Sequence, residues 1–125
     1  MTGSTTATRA FPAIACLMGA CGVIFAAVAA HVAGETRMAA AAQILMVHAA
    51  ASLALAPHAA RSRILLVATA ALQAGAILFA ADIAVRTLAG QALFPSAAPT
   101  GGTIMILAWL VAAAKFAFGQ TSTGQ

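Results

Sequence analysis

The sequence predicts an all-α integral membrane protein, a bundle of four transmembrane helices, and three observations carry that prediction. Of its 125 residues 63% are apolar and only 6% are charged, whereas soluble domains carry about a quarter charged residues to meet water. The mean hydropathy is +1.02. The apolar residues fall into four runs, each near the roughly 20 residues that a helix needs to cross about 30 Å of hydrocarbon. Backbone groups in lipid must be satisfied within the segment, so runs of this length are helices.

The first run, Phe11–Ala33, follows Arg9 and contains the triplet Ala27-Val28-Ala29, which invites comparison with a secretory signal and its small-residue cleavage site. Its length exceeds that of a typical signal core, so it is expected to be retained as the first membrane helix. Cys16 and Cys21 lie in it five residues apart, about 140° apart around a helix, which predicts no disulfide between them. Small residues four apart, Ala15 with Gly19 and Gly22 with Ala26, allow close helix approach and point to packing within the bundle.

GETR around Gly34 ends this helix, and the second run is Met38–Ala56. PHAARSR from Pro57 supplies the proline and charges that end the second. The third run, Ile64–Ala89, repeats the small-residue device with Ala70, Ala74 and Gly75. GQALFPSAAPTG from Gly90 separates it from the fourth run, Gly102–Phe118, where Trp109 sits near the middle and reads as a packing residue rather than part of an interfacial belt. Gly101 and Gly102 at the start of that run join the expected packing positions. The chain reads as one transmembrane domain, 1–125, with no repeat.

Four bases, Arg9, Arg61, Arg63 and Lys115, fall on one side of this arrangement, and two, Arg37 and Arg86, on the other. Short cytoplasmic loops are enriched in Lys and Arg, so both termini and the second loop are expected in the cytoplasm. Single bases scattered in this way are a topology signal and predict no nucleic-acid partner.

Ionisable and amide side chains inside a span are costly and mark candidate sites. Here they are His31, Gln43, His48, Gln73, Asp82 and Arg86. A rise of about 1.5 Å per residue puts His31 and Arg86 within a turn of the outer surface, Gln43 and Asp82 about 8–11 Å deep and His48 about 15 Å deep. His31, Gln43, His48, Asp82 and Arg86 therefore share the outer half of the bundle and form the candidate polar cluster. Asp82 and Arg86 have the i, i+4 spacing at which an acid and a base pair along a helix, and a paired structural charge is the first expectation. The functional alternative is a pocket of Asp82, His48 and Gln43 for a small head group or for proton relay. His48 has Ser52 one turn beyond it, and reads most simply as a hydrogen-bonded residue holding two helices together. His31 and His48 differ in depth by about 10 Å or more, which excludes them as the two axial ligands of one haem. No zinc-ligand spacing, nucleophile elbow or phosphate loop is present in the sequence, so no enzyme, cofactor or metal is expected.

From about Gly19 to Phe118 the landmarks resemble the YgdD-like family, small bacterial inner-membrane proteins of unknown function with four transmembrane helices. The residues concerned are AAH at Ala29–His31, QILMVHAAASLAL from Gln43, PTGG at Pro99–Gly102, and Trp109. The family pattern on the third helix is Phe-Ser-Gly-Ser-Leu-Tyr, where this chain has FAADIA from Phe79, so Ala80 and Asp82 stand at the serine positions and Ala84 at the tyrosine. The resemblance implies fold and a bacterial inner-membrane location, and carries no activity. The resulting expectation is a structural or accessory subunit, surrounded by membrane lipids and bound to a larger membrane complex such as a respiratory assembly. The competing expectation is a small transporter, pore or lipid- or quinone-binding bundle using the Asp82/His48 cluster.

Overall fold

Local signals set where each helix begins and ends. In the computed structural model, which describes residues 3–32 and 35–119, the helices are α1 (Gly3–His31), α2 (Thr36–Ala59), α3 (Arg63–Ala89) and α4 (Ala97–Phe118). All four are long and apolar enough to span a membrane. With no strand among the described residues, the protein is an all-α membrane bundle.

α1, α2 and α4 run further than their apolar stretches, because extending an existing helix costs little, and each accommodates a proline. α1 starts at Gly3, eight residues before Phe11, and continues through Pro12; Ala33, its expected end, lies outside the described residues. α2 passes Pro57 and ends at Ala59, where the Ala60 N–H donates to the Ala56 carbonyl at 3.2 Å. A proline this close to the helix end removes a single ladder bond. α3 begins with Ser62 in an extended conformation, its Oγ accepting from the Leu65 N–H at 3.4 Å, a side-chain N-cap. It stops at Gly90, whose φ of 70° is the left-handed conformation that glycine adopts at a helix end without steric cost. α4 begins at Ala97 rather than Gly102, taking Pro99 into its first turn, where the missing N–H has no ladder partner to lose.

α2 and α3 pack along each other at the centre; α1 lies along α2 and meets α3 only briefly, while α4 lies along α3. Among the described residues α1 and α4 do not approach one another. Their buried faces are small: Ala41, Ala49, Ala76, Ala80 and Ala108 join Met18, Leu45 and Leu72 in one core, and short side chains let membrane helices close on one another by van der Waals contact. The closest approach is at Gly75 and Gly101, where a Cβ built on Gly101 lies 2.6 Å from the Gly75 carbonyl oxygen. Gly22 is nearly as tight, with a Cβ 3.3 Å from the Ala42 carbonyl oxygen and 2.6 Å from Met46 Cγ. Gly19 meets only Ala49, at an ordinary 3.9 Å. Gly102 corrects the expectation from its sequence position: nothing lies within 4 Å of its Cβ, because α4 turns it away from α3.

The chain order places Arg9, Arg61, Arg63 and Lys115 at one end of the bundle with no acid, and Arg37 and Arg86 with Glu35 and Asp82 at the other. The whole formal charge of +4 therefore belongs to one end.

Candidate functional site

Asp82 lies two turns before the end of α3, fully buried, beneath the loop that leads into α4. Its two oxygens have separate tasks. Oδ2 accepts from Arg86 Nε at 2.7 Å, and Oδ1 accepts from the backbone N–H of Leu93 at 2.8 Å. The Ala98 backbone N–H, in the first turn of α4, also acts on this carboxylate. The reason is visible in that turn: the Ala97 N–H is taken by the Phe94 carbonyl, Pro99 has no N–H, and the Thr100 N–H is taken by the Ser96 carbonyl. A carboxylate at a helix N-terminus is favoured by the orphan donors and the helix dipole. The Arg86 side chain reaches back one turn to this carboxylate and is 38% exposed, so the pair is buried on the acid's side and open on the base's.

His48 instead reaches from α2 to a side chain of α4. Its Nδ1–H donates to the Ile44 carbonyl at 2.8 Å, and the Trp109 Nε1–H donates to its Nε2 at 3.2 Å, with the rings edge to face at 62°. A carbonyl can only accept and an indole N–H can only donate, so these two partners fix His48 as the neutral tautomer protonated on Nδ1. Trp109 keeps part of its ring exposed while its N–H points inward.

The five residues of the predicted cluster therefore separate. Asp82 and Arg86 pair; His48 pairs with Trp109; Gln43 and His31 are exposed on the outer surface. Depth was legible and direction was not: Gln43 stands seven residues after Thr36 and Asp82 seven before Ala89, level with each other but on different faces. Gln73 donates from Nε2 to the Phe11 carbonyl at 2.8 Å, tying α3 to α1. Thr69 is buried and donates to the Leu65 carbonyl at 2.7 Å. Ser52, behind His48, is the one buried side-chain polar atom without a hydrogen bond among the described residues. Thr87 donates to Glu35 at 3.3 Å, fastening the end of α3 to the start of α2.

Two of these partners were missed from sequence. Leu93 contributes only its backbone, which no side-chain pattern reports. The Trp109–His48 pair had a signal in depth: each residue stands twelve positions into its helix, from Thr36 and from Ala97, counted from the same end of the bundle, and a tryptophan N–H turned into a bundle needs an acceptor.

A groove of about 430 Å³ lies between α1 and α3, lined by Ile14, Met18, Cys21, Phe25, Leu45 and Ala81 among others, apolar throughout. Neither Asp82 nor His48 lines it. Cys16 and Cys21 are free, exposed thiols, and Cys21 borders this groove. Among the described residues no three His, Cys, Asp or Glu side chains converge.

A family model described as Protein of unknown function (DUF423) matches residues 18–102. The matched span takes in AAH, QILMVH, FAADIA and both glycines of PTGG, and stops before Trp109. No curated protein and no solved structure matches the chain.

Proposed function

The chain belongs to the DUF423 family of proteins of unknown function, and from that premise we propose that it is a non-enzymatic structural protein, an accessory subunit lodged in the lipid beside a larger complex of the bacterial inner membrane, such as a respiratory assembly. One observation supports this reading above the others. The ionisable groups buried in the bundle are committed to the chain's own architecture, both oxygens of Asp82 to Arg86 and Leu93, and both ring nitrogens of His48 to Ile44 and Trp109. Groups held in this way position helices and are not turned toward a cavity. The outer face of α4, with Ile106, Leu107, Leu110 and Val111 exposed, offers apolar surface to a neighbour. The charge-bearing end faces the cytoplasm in this reading, by the excess of bases found in short cytoplasmic loops. Extraction from native membranes in a mild detergent, followed by mass spectrometry of co-purifying chains, tests it. A stable set of other membrane subunits is expected; recovery with no other chain refutes it.

The apolar groove favours a second reading, a bundle that holds the tail of a lipid or quinone between α1 and α3. Replacing Cys21, which lines the groove, by Trp then reduces the lipid or quinone recovered with the purified protein. A transport version of this reading rests on Asp82, and unchanged flux in vesicles bearing Asp82→Asn removes it.

A further inference from the structure

Gln43 belongs to neither polar pair. It stands seven residues into α2, about 10 Å along the helix, inside a segment apolar enough to span the membrane. Its side chain is exposed and has no hydrogen bond within the chain. Among the described residues it is the one amide, hydroxyl or charged side chain more than a turn inside a span that is both exposed and without a partner. Hydrocarbon offers nothing to a carboxamide, and an unpaired amide is strongly disfavoured there.

The surroundings of Gln43 say what fits. At 100° per residue, Ala39, Val47, Ala50 and Ala54 lie within about 40° of it on the helix surface, and all four are exposed. Three of the four are alanines, so a second helix can approach until amide meets amide. Arg37 stands about 120° away and does not enter that line. Two copies inserted in the same sense are related by a two-fold axis along the membrane normal, because any other axis changes the depth or sense of one copy. Equivalent residues then face each other at one depth. A carboxamide carries both donor and acceptor, so two Gln43 side chains close two hydrogen bonds with each other, a self-complementarity that lipid chains lack.

We propose that two copies of this chain associate through the outer face of α2, with their Gln43 carboxamides hydrogen-bonded across the two-fold axis. This pairing is separate from the accessory reading, which rests on other chains and assigns them no contact on α2.

Disulfide trapping in native membranes tests it with the full chain. Cys16→Ser and Cys21→Ser remove the native thiols, Ala50→Cys reports on the α2 face, and Leu110→Cys reports on α4. A covalent dimer through residue 50 and none through residue 110 is expected. Adding Gln43→Leu to the residue 50 reporter weakens dimerisation about 3- to 30-fold, the range spanned by interhelical side-chain hydrogen bonds in membranes, and Gln43→Asn retains most of it. A dimer that is indifferent to Gln43→Leu, no dimer with either reporter, trapping through residue 110 alone, or trapping of residue 50 to a different protein each overturns the proposal. Because residue 43 faces outward, the leucine variant keeps its fold, which thermal unfolding of the purified variant verifies.

Discussion

Gly101→Ala and Gly102→Ala are matched perturbations at adjacent positions of α4. Each adds one methyl group to a helix and gains the same intrinsic preference of alanine over glycine, about 1 kcal/mol. Their surroundings differ completely. At position 101 the new Cβ lies 2.6 Å from the Gly75 carbonyl oxygen and 2.9 Å from the Phe79 backbone N, where ordinary contact starts at 3.4 Å, so α3 and α4 must part by about 0.8 Å. Both obstacles are backbone and neither can rotate away. Overpacking of a closely packed interior costs about 1–3 kcal/mol, and the separation also strains the Asp82–Leu93 bond that ties the α3–α4 loop to α3. At position 102 the Cβ meets nothing within 4 Å. The expected outcome is that Gly101→Ala lies roughly 1–3 kcal/mol below Gly102→Ala in stability, since the propensity gain is common to both and cancels in the comparison. Reversible unfolding of the two variants in mixed micelles, followed by circular dichroism, measures the difference directly. Equal stabilities would refute the close α3–α4 approach as the organising contact of that half of the bundle.

Asp82→Ala leaves Arg86 without its partner and the Leu93 N–H without an acceptor; a cost of about 2–3 kcal/mol is expected, below that of a fully buried pair because the Arg86 side chain is partly exposed. Faster proteolysis within residues 90–96 accompanies it, and limited digestion reads the change. Trp109→Phe keeps the ring but removes the N–H that His48 accepts, which costs about 1–2 kcal/mol; a double-mutant cycle with His48→Leu, read by thermal unfolding, shows a coupling that vanishes if the bond does not form. For orientation, Ser62→Cys and Gln91→Cys in a background lacking Cys16 and Cys21 are expected to react with a membrane-impermeant thiol reagent from opposite sides, residue 62 from the cytoplasm and residue 91 from outside. The reverse pattern overturns the assignment made from the basic residues.

The helices, their order, the one-sided charge and the depth of each polar residue were all legible in the sequence. Each is a one-dimensional property: a span is a length of apolar chain, and depth is a residue count multiplied by a rise of about 1.5 Å. That is how Asp82 with Arg86 could be read as a pair, which the 2.7 Å contact bears out. The extent of α4 was less legible, since a proline in a first turn starts a helix as readily as it ends one, and Pro99 does the former. The direction in which each side chain points was decided by the tertiary structure alone. In water an apolar stripe identifies the buried face, but lipid is as apolar as the bundle interior, so α2, α3 and α4 carry no marked stripe and their periodicity does not say which way they turn. Only the packing of α2 on α3, with α1 and α4 to either side, turned His48 toward Trp109, Asp82 toward Leu93, and Gln43 away from the bundle.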